Sequence, residues 1–426
     1  MTALRFLLAF LAAAVALAVS ASAASVAPAS FAAARAYDAG AGAVAIDDLN
    51  GDGFRDLVTA DYAAATVSVL LNRRDGTFEP KHDYQAAFSP RAVALGDLTG
   101  DGKPEIVTAN VWDDTVSVLV NNGDGTFAGR HDLDTASGPF DVAIGDLDGD
   151  SRADLAVASD DATVVSVFLN RGNGAFDVRQ DYGTGLGPDS LAIRDVTGDG
   201  KPELVTANGA GTVSVLVNRG DGSFAPHRDY DVLAAGFPSL AVGDVNGDGT
   251  ADLAVANGDD GLVVALGRAG GSVGAARTYR GFASSVALAD LNGDGRLDVA
   301  TESSFRLNRG DGTFAAPVRA PVSYAGAAAA GDVNGDGRPD LAAAAGDRVQ
   351  VLLNTPGLCD VQPVAGLTLT AAKQSLARGR CAAGTIRRAY SAYVMKGRVI
   401  SQKPGFGAVL AEGSKVNLVV SKGKRK

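Results

Sequence analysis

Short apolar runs alternate with polar turns along most of the chain. A representative unit has apolar runs at residues 92–95, 106–109 and 115–120, followed by a tight polar turn and a more polar fourth segment. The runs are rich in valine and are bounded by Gly, Asn and Asp, which is typical of strands rather than helices. The pattern therefore predicts four short antiparallel strands in each unit.

A nine-residue acidic segment recurs seven times, between the first and second predicted strands of each unit. It has the form Asp-x-(Asn/Asp/Thr)-x-Asp-(Gly/Ser)-x-x-(Asp/Glu), and neighbouring copies are 49, 49, 49, 49, 46 and 42 residues apart. Four short strands per unit at this period, with Asp-Gly hairpin turns, indicate propeller blades. We therefore predict a mainly β protein, a seven-bladed β-propeller with a small C-terminal α+β domain.

The two ends of the repeat region complement each other. In most units a Phe stands six residues before the end of the fourth strand, as in Phe78 and Tyr84, but the seventh unit stops near residue 354 without a fourth strand. Phe31 and Tyr37 have the same spacing near the N-terminus. We expect a propeller over residues 31–354 in which this segment closes blade seven and removes free sheet edges. The second hairpin of blade six should be short.

The acidic loops offer the oxygen ligands that Ca²⁺ prefers. Positions 1, 3, 5 and 9 carry side-chain oxygens and position 7 can add a backbone carbonyl, which suits six to eight mixed oxygen ligands. Mg²⁺ resists losing its waters, and Zn²⁺ would lack Cys or His ligands. An EF-hand would need Glu at position 12 and flanking helices, which are missing from the sequence pattern. Acidic turns without an ion are the other alternative, but seven such loops would repel themselves.

The sequence therefore predicts up to seven Ca²⁺ sites. The predicted ligands, in loop order, are Asp48, Asn50, Asp52, Phe54, Asp56, Asp97, Thr99, Asp101, Lys103, Glu105, Asp146, Asp148, Asp150, Arg152, Asp154, Asp195, Thr197, Asp199, Lys201, Glu203, Asp244, Asn246, Asp248, Thr250, Asp252, Asp290, Asn292, Asp294, Arg296, Asp298, Asp332, Asn334, Asp336, Arg338 and Asp340. The third loop differs from the others, because it has four carboxylates and because Ser151 replaces the glycine at position 6. We expect backbone strain at Ser151.

The loops of the form Asp-Leu-Asn-Gly-Asp-Gly-x-x-Asp-Leu and the Asn-Arg-Gly-Asp-Gly-Thr-Phe turns resemble FG-GAP/VCBS repeats, bacterial relatives of the integrin α-chain propeller. The resemblance covers roughly residues 31–354. It implies Ca²⁺ in the loop between strands one and two of each blade, on one face of the disc. It implies no single function, because such propellers serve in adhesion, in sugar binding and as appendages of enzymes.

Residues 1–23 have the pattern of a secretory signal peptide. Arg5 precedes an apolar stretch at 6–19, and small residues at 21–23 form a cleavage site. The apolar stretch is shorter than the about 20 residues of a membrane span. We expect a secreted or wall-associated bacterial protein without a transmembrane span after cleavage, and a retained N-terminal anchor is the alternative.

Residues 359–426 form a second domain in which the charge reverses. From residue 360 onward 13 basic and 2 acidic residues give a net charge of +11, whereas the rest of the chain carries −22. A helix is predicted at 369–377 with Thr368 as its N-cap, followed by strands around 399–401 and 416–420. The segments 364–368, 397–404 and 412–423 resemble a single PASTA domain. The resemblance implies the cell envelope and, in some relatives, peptidoglycan fragments, with a purely structural role as the alternative.

Cys359 and Cys381 are the only cysteines of the chain. In an exported protein an even pair predicts a disulfide, with two buried thiols as the alternative.

The sequence suggests binding rather than catalysis. No Ser-His-Asp or Cys-His arrangement is apparent, and the 22 carboxylates at the predicted ligand positions equal the net negative charge outside the C-terminal domain. We predict a monomeric, non-enzymatic adhesion or scaffold protein, with the basic domain docking on peptidoglycan or another anionic wall polymer. The alternatives are a polysaccharide lyase or hydrolase and a lectin, whereas acidity disfavours nucleic acid. A glycan or protein ligand is expected on the face opposite the acidic loops, where the candidates are Asp61, Tyr62, Trp112, Asp113 and Asp114.

Overall fold

A computed structural model describes residues 29–40, 42–232, 236–320, 322, 326–355, 358–378, 381–411 and 414–425, with side chains left undescribed at 358–360, 378 and 409–411. The predicted signal peptide, residues 1–23, lies outside the described residues.

The repeat region forms four-stranded antiparallel sheets, each called a blade, and the described residues contain seven of them. Strand β1 is Arg35–Asp38. Blade one contains β2 (Ala43–Asp47), β3 (Asp56–Asp61), β4 (Thr66–Leu70) and β5 (His82–Gln85); blade two contains β6 (Pro90–Gly96), β7 (Glu105–Asn110), β8 (Thr115–Leu119) and β9 (His131–Asp134). Blade three contains β10 (Pro139–Gly145), β11 (Asp154–Ser159), β12 (Val164–Phe168) and β15 (Gln180–Gly183), with a small hairpin of β13 (Asn170–Gly172) and β14 (Ala175–Phe176).

Four further blades complete the set. Blade four contains β16 (Pro188–Arg194), β17 (Glu203–Asn208), β18 (Thr212–Leu216) and β19 (Arg228–Asp231); blade five contains β20 (Ser239–Gly243), β21 (Asp252–Ala256), β22 (Leu262–Arg268) and β23 (Ser272–Tyr279). Blade six contains β24 (Val286–Ala289), β25 (Asp298–Thr301), β26 (Ser304–Arg306) and β27 (Val318–Arg319); blade seven contains β28 (Ala327–Gly331), β29 (Asp340–Ala345), β30 (Arg348–Leu352) and β1.

The blades form a closed ring. The first strand of each blade lies beside the first strand of the next, and β28 of blade seven lies beside β2 of blade one. Strand β1 pairs antiparallel with β30, so that Arg35 is opposite Val351 and Asp38 is opposite Arg348. The N-terminal segment is thus the outer strand of the seventh blade, the position that the spacing of Phe31 and Tyr37 predicts.

The core lies between neighbouring blades, because the valine-rich second and third strands present apolar side chains to both sides. One cluster joins Val107 and Val118 of blade two to Val157 of blade three, all of them buried. The outer strand of one blade also packs on the turn of the next. The Tyr84 and Phe127 rings meet edge to face with centroids 5.4 Å apart, and Tyr37 and Phe78 do the same between blades seven and one at 5.4 Å.

The C-terminal domain is a small α+β unit. It contains β31 (Leu358–Asp360), α1 (Leu369–Arg378), β32 (Ala382–Ala389), β33 (Val399–Lys403), β34 (Val409–Ala411) and β35 (Lys415–Ser421). Strand β35 pairs parallel with β32 and antiparallel with β33. The Ala371 N–H donates to Thr368 Oγ1 at 3.2 Å, so Thr368 is the N-cap that the sequence predicts.

Cys381 is buried in the core of this domain beside Leu376 and Val416. The side chain of Cys359 lies outside the described residues, so its pairing with Cys381 stays a prediction. Within the described part of the chain, no helix has the length and apolar character needed to cross a membrane.

Candidate functional site

The first aspartate of each acidic loop organises the loop backbone. Asp48 Oδ1 accepts the Gly51 N–H at 2.8 Å and Oδ2 accepts the Gly53 N–H at 2.8 Å. Both glycines have positive φ, 71° and 84°, which lets the chain curl around the carboxylate. The same two bonds, from positions 4 and 6, recur at Asp97, Asp146, Asp195, Asp244, Asp290 and Asp332.

The aspartate at position 5 accepts the N–H of position 7 in every loop, as Asp52 does from Phe54 at 2.9 Å. Basic side chains at position 7 lie against the same carboxylates. Lys103 Nζ is 3.2 Å from Asp101 Oδ2, and the Arg152 guanidinium contacts Asp150. Loops with a basic residue at position 7 are therefore partly charge-balanced by their own lysines and arginines, at exposed sites where solvent screens the pairs.

The carboxylate at position 9 is fully buried and holds two parts of its blade together. Asp56 Oδ2 accepts the Leu49 N–H of its own loop at 2.9 Å, and Oδ1 accepts the Asn72 N–H beyond the third strand at 2.7 Å. Burial raises the pKa of Asp56 to about 6, although the two backbone donors oppose the shift. The bond to position 2 recurs in all seven loops, at Glu105, Asp154, Glu203, Asp252, Asp298 and Asp340 as well.

The third loop brings its carboxylates closest together. One oxygen from each of Asp146, Asp148 and Asp154 lies within 4.8 Å of the other two, the spacing of a group that can hold a metal ion, and within the described residues no other cluster of acidic, His or Cys side chains meets it. All-oxygen donors of this kind fit Ca²⁺. Ser151 has φ 69° in this loop, the left-handed conformation expected from its place at position 6.

Asparagines after the third strand tie six of the seven loops to the next blade, a role that the sequence reasoning missed. Asn121 Nδ2 donates to the Pro104 carbonyl in its own blade at 3.0 Å and to the Leu49 carbonyl in blade one at 2.9 Å. Equivalent bonds come from Asn72, Asn170, Asn218, Asn308 and Asn354. We call these six residues the asparagine clasps; Gly267 occupies the corresponding place in blade five.

The predicted ligand-face residues divide into two groups. Tyr62 and Trp112 come together, since Trp112 Nε1 donates to Tyr62 Oη at 2.9 Å while 74% of Trp112 stays exposed. The acids also bond to the loop backbone: Asp61 accepts the amides of Ala63 and Ala64, Asp113 accepts that of Phe88, and Asp114 accepts that of Gly138. Tyr62, Trp112, Asp113 and Asp114 are all exposed, so these side chains stay predicted candidates for ligand contact.

A cavity of about 480 Å³ lies at the start of the innermost strands, at the opposite end of these strands from the acidic loops. Its polar and aromatic lining includes Arg91, Phe140, Asp189, Phe237 and Ser284. The sequence reasoning did not single out Arg91 and Asp189. The available signal was their position six residues before a loop aspartate, where a charged residue interrupts an otherwise small or apolar strand start.

Electrostatics in this cavity centre on Asp189. Burial raises its pKa to about 7, the repulsion of Asp160 adds to the shift, and Arg91 opposes it. The Arg91 guanidinium lies 3.8 Å from the Phe140 ring centroid in a cation–π contact. Asp141 accepts the Leu191 N–H at 2.8 Å and the Ser190 hydroxyl at 3.1 Å, a bond that joins blades three and four.

A second cavity of about 320 Å³ opens between blades five and six. It follows from the short hairpin of blade six, in which only Glu302 and Ser303 separate β25 from β26. Two of its charged groups bond to the backbone: Glu302 accepts the Ser284 and Ser285 amides, and Arg306 donates to the Ala315 and Arg280 carbonyls. These charges therefore support the local backbone.

Comparison with known families identifies the repeats. The FG-GAP-like repeat family matches residues 48–108, 97–157, 146–206, 195–255 and 244–301, and the FG-GAP repeat matches residues 324–352. The PASTA domain family matches residues 360–422. Since the first set of matches spans more than half of the chain, the protein belongs to the FG-GAP-like repeat family, and it carries a C-terminal PASTA domain.

Solved structures share the fold at low sequence identity. BBS1N, in complex with ARL6DN and soaked with mercury, is 15% identical with a TM-score of 0.55, over 76% of this chain and 96% of that chain. The WD40 β-propeller domain of Doa1 is 12% identical with a TM-score of 0.50, over 77% and 97%. An Agrocybe aegerita lectin that recognises non-reducing terminal N-acetylglucosamine is 22% identical with a TM-score of 0.48, over 65% and 79%. The first two likenesses establish a β-propeller fold and nothing about ligands.

Proposed function

We propose that this protein is an exported, non-enzymatic binding protein whose seven-bladed propeller is stabilised by Ca²⁺ in its acidic loops. The observation that carries the calcium proposal is the convergence of Asp146, Asp148 and Asp154 within 4.8 Å. Bound Ca²⁺ would offset two of the three or four carboxylate charges of each loop. The side chains at positions 1, 3, 5 and 9 and the carbonyl at position 7 would hold the ion, and the buried carboxylate at position 9 would also anchor the loop.

Ca²⁺ binding would act on more than one blade. The position-2 residue of each loop is buried, and in six of the seven loops its carbonyl accepts the bond of an asparagine clasp from the following blade, as Leu49 does from Asn121. An ion that fixes the loop would therefore also fix a hydrogen bond between blades. We expect calcium to stabilise the ring cooperatively.

We place glycan or protein recognition at the Tyr62–Trp112 pair. The hydrogen bond between these side chains fixes two exposed rings in one orientation, so little conformational entropy is lost when a flat ligand stacks on them. A sugar ring presents an apolar face for such stacking. The pair is 50 residues apart in sequence and joins blades one and two.

A glycan array probed with and without Ca²⁺ tests this surface. The wild type should bind a subset of glycans, Trp112→Ala should lose that binding, and Trp112→Phe should keep part of it. Val178→Ala is a matched control, because Val178 is 90% exposed and belongs to another blade. Retained binding in Trp112→Ala would place recognition elsewhere.

The C-terminal domain is proposed to dock on peptidoglycan or another anionic wall polymer. Its +11 net charge supports attraction to such a polymer. Deleting residues 359–426 should abolish sedimentation with isolated cell walls, and the isolated propeller should then keep its glycan binding. Unchanged sedimentation would assign wall attachment to the propeller.

A disulfide between Cys359 and Cys381 is proposed to close this domain. In a domain of this size a disulfide typically contributes about 2–4 kcal/mol. Thiol labelling of the unfolded, unreduced protein should find no free cysteine, and labelling of both residues would contradict the proposal.

A further inference from the structure

The cavity at the start of the innermost strands, which we call the mouth of the central channel, is a candidate binding site separate from the Tyr62–Trp112 pair. The cavity there is lined by the first residues of the innermost strands of all seven blades, from Gly42 to Ala328. Its volume of about 480 Å³ is within the range of sites for small ligands. Because every blade contributes, the site exists only in the closed ring.

Asp189 lines this cavity and lacks a hydrogen bond at one of its carboxylate oxygens. The residue is 7% exposed, and its Oδ1 is buried without any hydrogen-bond partner. A buried carboxylate oxygen without a partner costs free energy, and such atoms usually receive a bond from a ligand or water. The neighbouring Asp141 differs, because it accepts bonds from Leu191 and Ser190.

Arg91 lines the same cavity but does not donate a hydrogen bond to Asp189 Oδ1. Its guanidinium is held over the Phe140 ring, and no ion pair joins it to Asp189 among the described side chains. Asp160 and Asp141 add negative charge around Arg91. Asp141 and Asp189 line the cavity, and Asp160 lies close enough to interact with both Arg91 and Asp189. One guanidinium therefore faces three carboxyl groups, and a cationic ligand would favour their deprotonated, negatively charged form.

We propose that this cavity binds a small ligand that carries a primary ammonium group, which donates to the Asp189 carboxylate. The body of the ligand would occupy the cavity beside Phe237, whose side chain is 72% exposed. An ammonium supplies three donors and a full positive charge to a carboxylate whose Oδ1 has no partner. Amino sugars and the free amines of amino acids or peptides share this chemistry. The site depends neither on Ca²⁺ in the acidic loops nor on the Tyr62–Trp112 pair.

The test is calorimetric titration of the full chain with D-glucosamine, L-lysine amide and the neutral sugar N-acetyl-D-glucosamine. At least one amine should bind while N-acetyl-D-glucosamine does not, and the tighter amine identifies the source of the ammonium. Asp189→Asn keeps the shape of the side chain and should weaken that binding about tenfold or more, since a charge-assisted bond is lost. Binding should be unchanged in the surface control Asp347→Asn, whose side chain is 96% exposed.

Three results would overturn the proposal. They are the failure of both amines to bind, equal binding of the neutral sugar, and unchanged amine affinity in Asp189→Asn. Asp189→Asn removes a buried charge and should fold, which a thermal melt of the same sample checks. Trp112→Ala should leave amine binding intact, so loss of glycan recognition and loss of the ammonium site remain distinguishable.

Discussion

The asparagine clasps make a quantitative prediction about how the blades are held together. In Asn121→Ala the Nδ2 bonds to the Leu49 and Pro104 carbonyls disappear, and so does the bond from the Gly123 N–H to Oδ1 at 2.7 Å. Asn121 is only 3% exposed, so water cannot easily replace these partners. At about 0.5–1.5 kcal/mol for each hydrogen bond, the free energy of unfolding should fall by about 2–4 kcal/mol.

This loss can be expressed as a melting temperature. Unfolding entropy of about 2.1 cal/mol/K per residue over roughly 320 propeller residues is about 0.7 kcal/mol/K, so the propeller transition should drop by about 3–6 °C. Differential scanning calorimetry at fixed Ca²⁺ concentration measures it. The matched control is Asn122→Ala, because that exposed side chain bonds only to Thr126 Oγ1 and should shift the transition by less than about 1 °C. Equal shifts in both variants would refute the role of the clasps.

Further predictions concern single elements. Ser151→Gly should raise the free energy of unfolding by about 0.5–1 kcal/mol, because φ 69° costs serine more than glycine, and urea unfolding that shows no gain would contradict the strain. Deleting residues 29–38 removes β1 and exposes the edge of β30, so the propeller transition should fall or broaden, and an unchanged transition would refute closure by this strand. Asp189→Asn should be more stable than the wild type by about 2 kcal/mol at alkaline pH. The folded pKa of about 7 lies above the ordinary 3.8, so the wild type loses stability as pH rises between these values, and solvent in the cavity screens part of the effect. Equal stability of the two proteins across that range would contradict the burial of this charge.

Repetition explains why so much of the fold could be predicted. The repeat period located every acidic loop, because each unit has the same order of strands and turns. The six-residue spacing of Phe31 and Tyr37, which matches that of the other units, located the closing strand. The hydrogen bonds within a loop, such as those that Asp48 accepts, join residues no more than 5 positions apart in the sequence. The N-cap role of Thr368 could likewise be predicted, because a helix cap depends only on residues near it in the sequence.

Contacts between blades could not be read in the same way. Asn121 reaches Leu49 across 72 residues, and its place in an Asn-Asn-Gly-Asp-Gly turn suggested turn chemistry alone. The sequence also contained no sign that Asp113 and Asp114 accept backbone bonds, because their partners, Phe88 and Gly138, lie in other loops. Asp189 could not be recognised from the sequence, because its burial in the channel mouth and the missing hydrogen bond at Oδ1 exist only in the folded ring.

The central claim, calcium stabilisation through the acidic loops, is tested most directly by calorimetric melting of the full chain in Ca²⁺, in Mg²⁺ and in chelator. A site filled to 100 times its dissociation constant contributes about 2.7 kcal/mol, so several filled loops should raise the propeller transition by many degrees in Ca²⁺ and much less in Mg²⁺. The variant Asp146→Asn with Asp148→Asn should lose part of this rise, whereas Asp347→Asn should keep all of it. A transition at the same temperature in Ca²⁺ and in chelator would contradict the account.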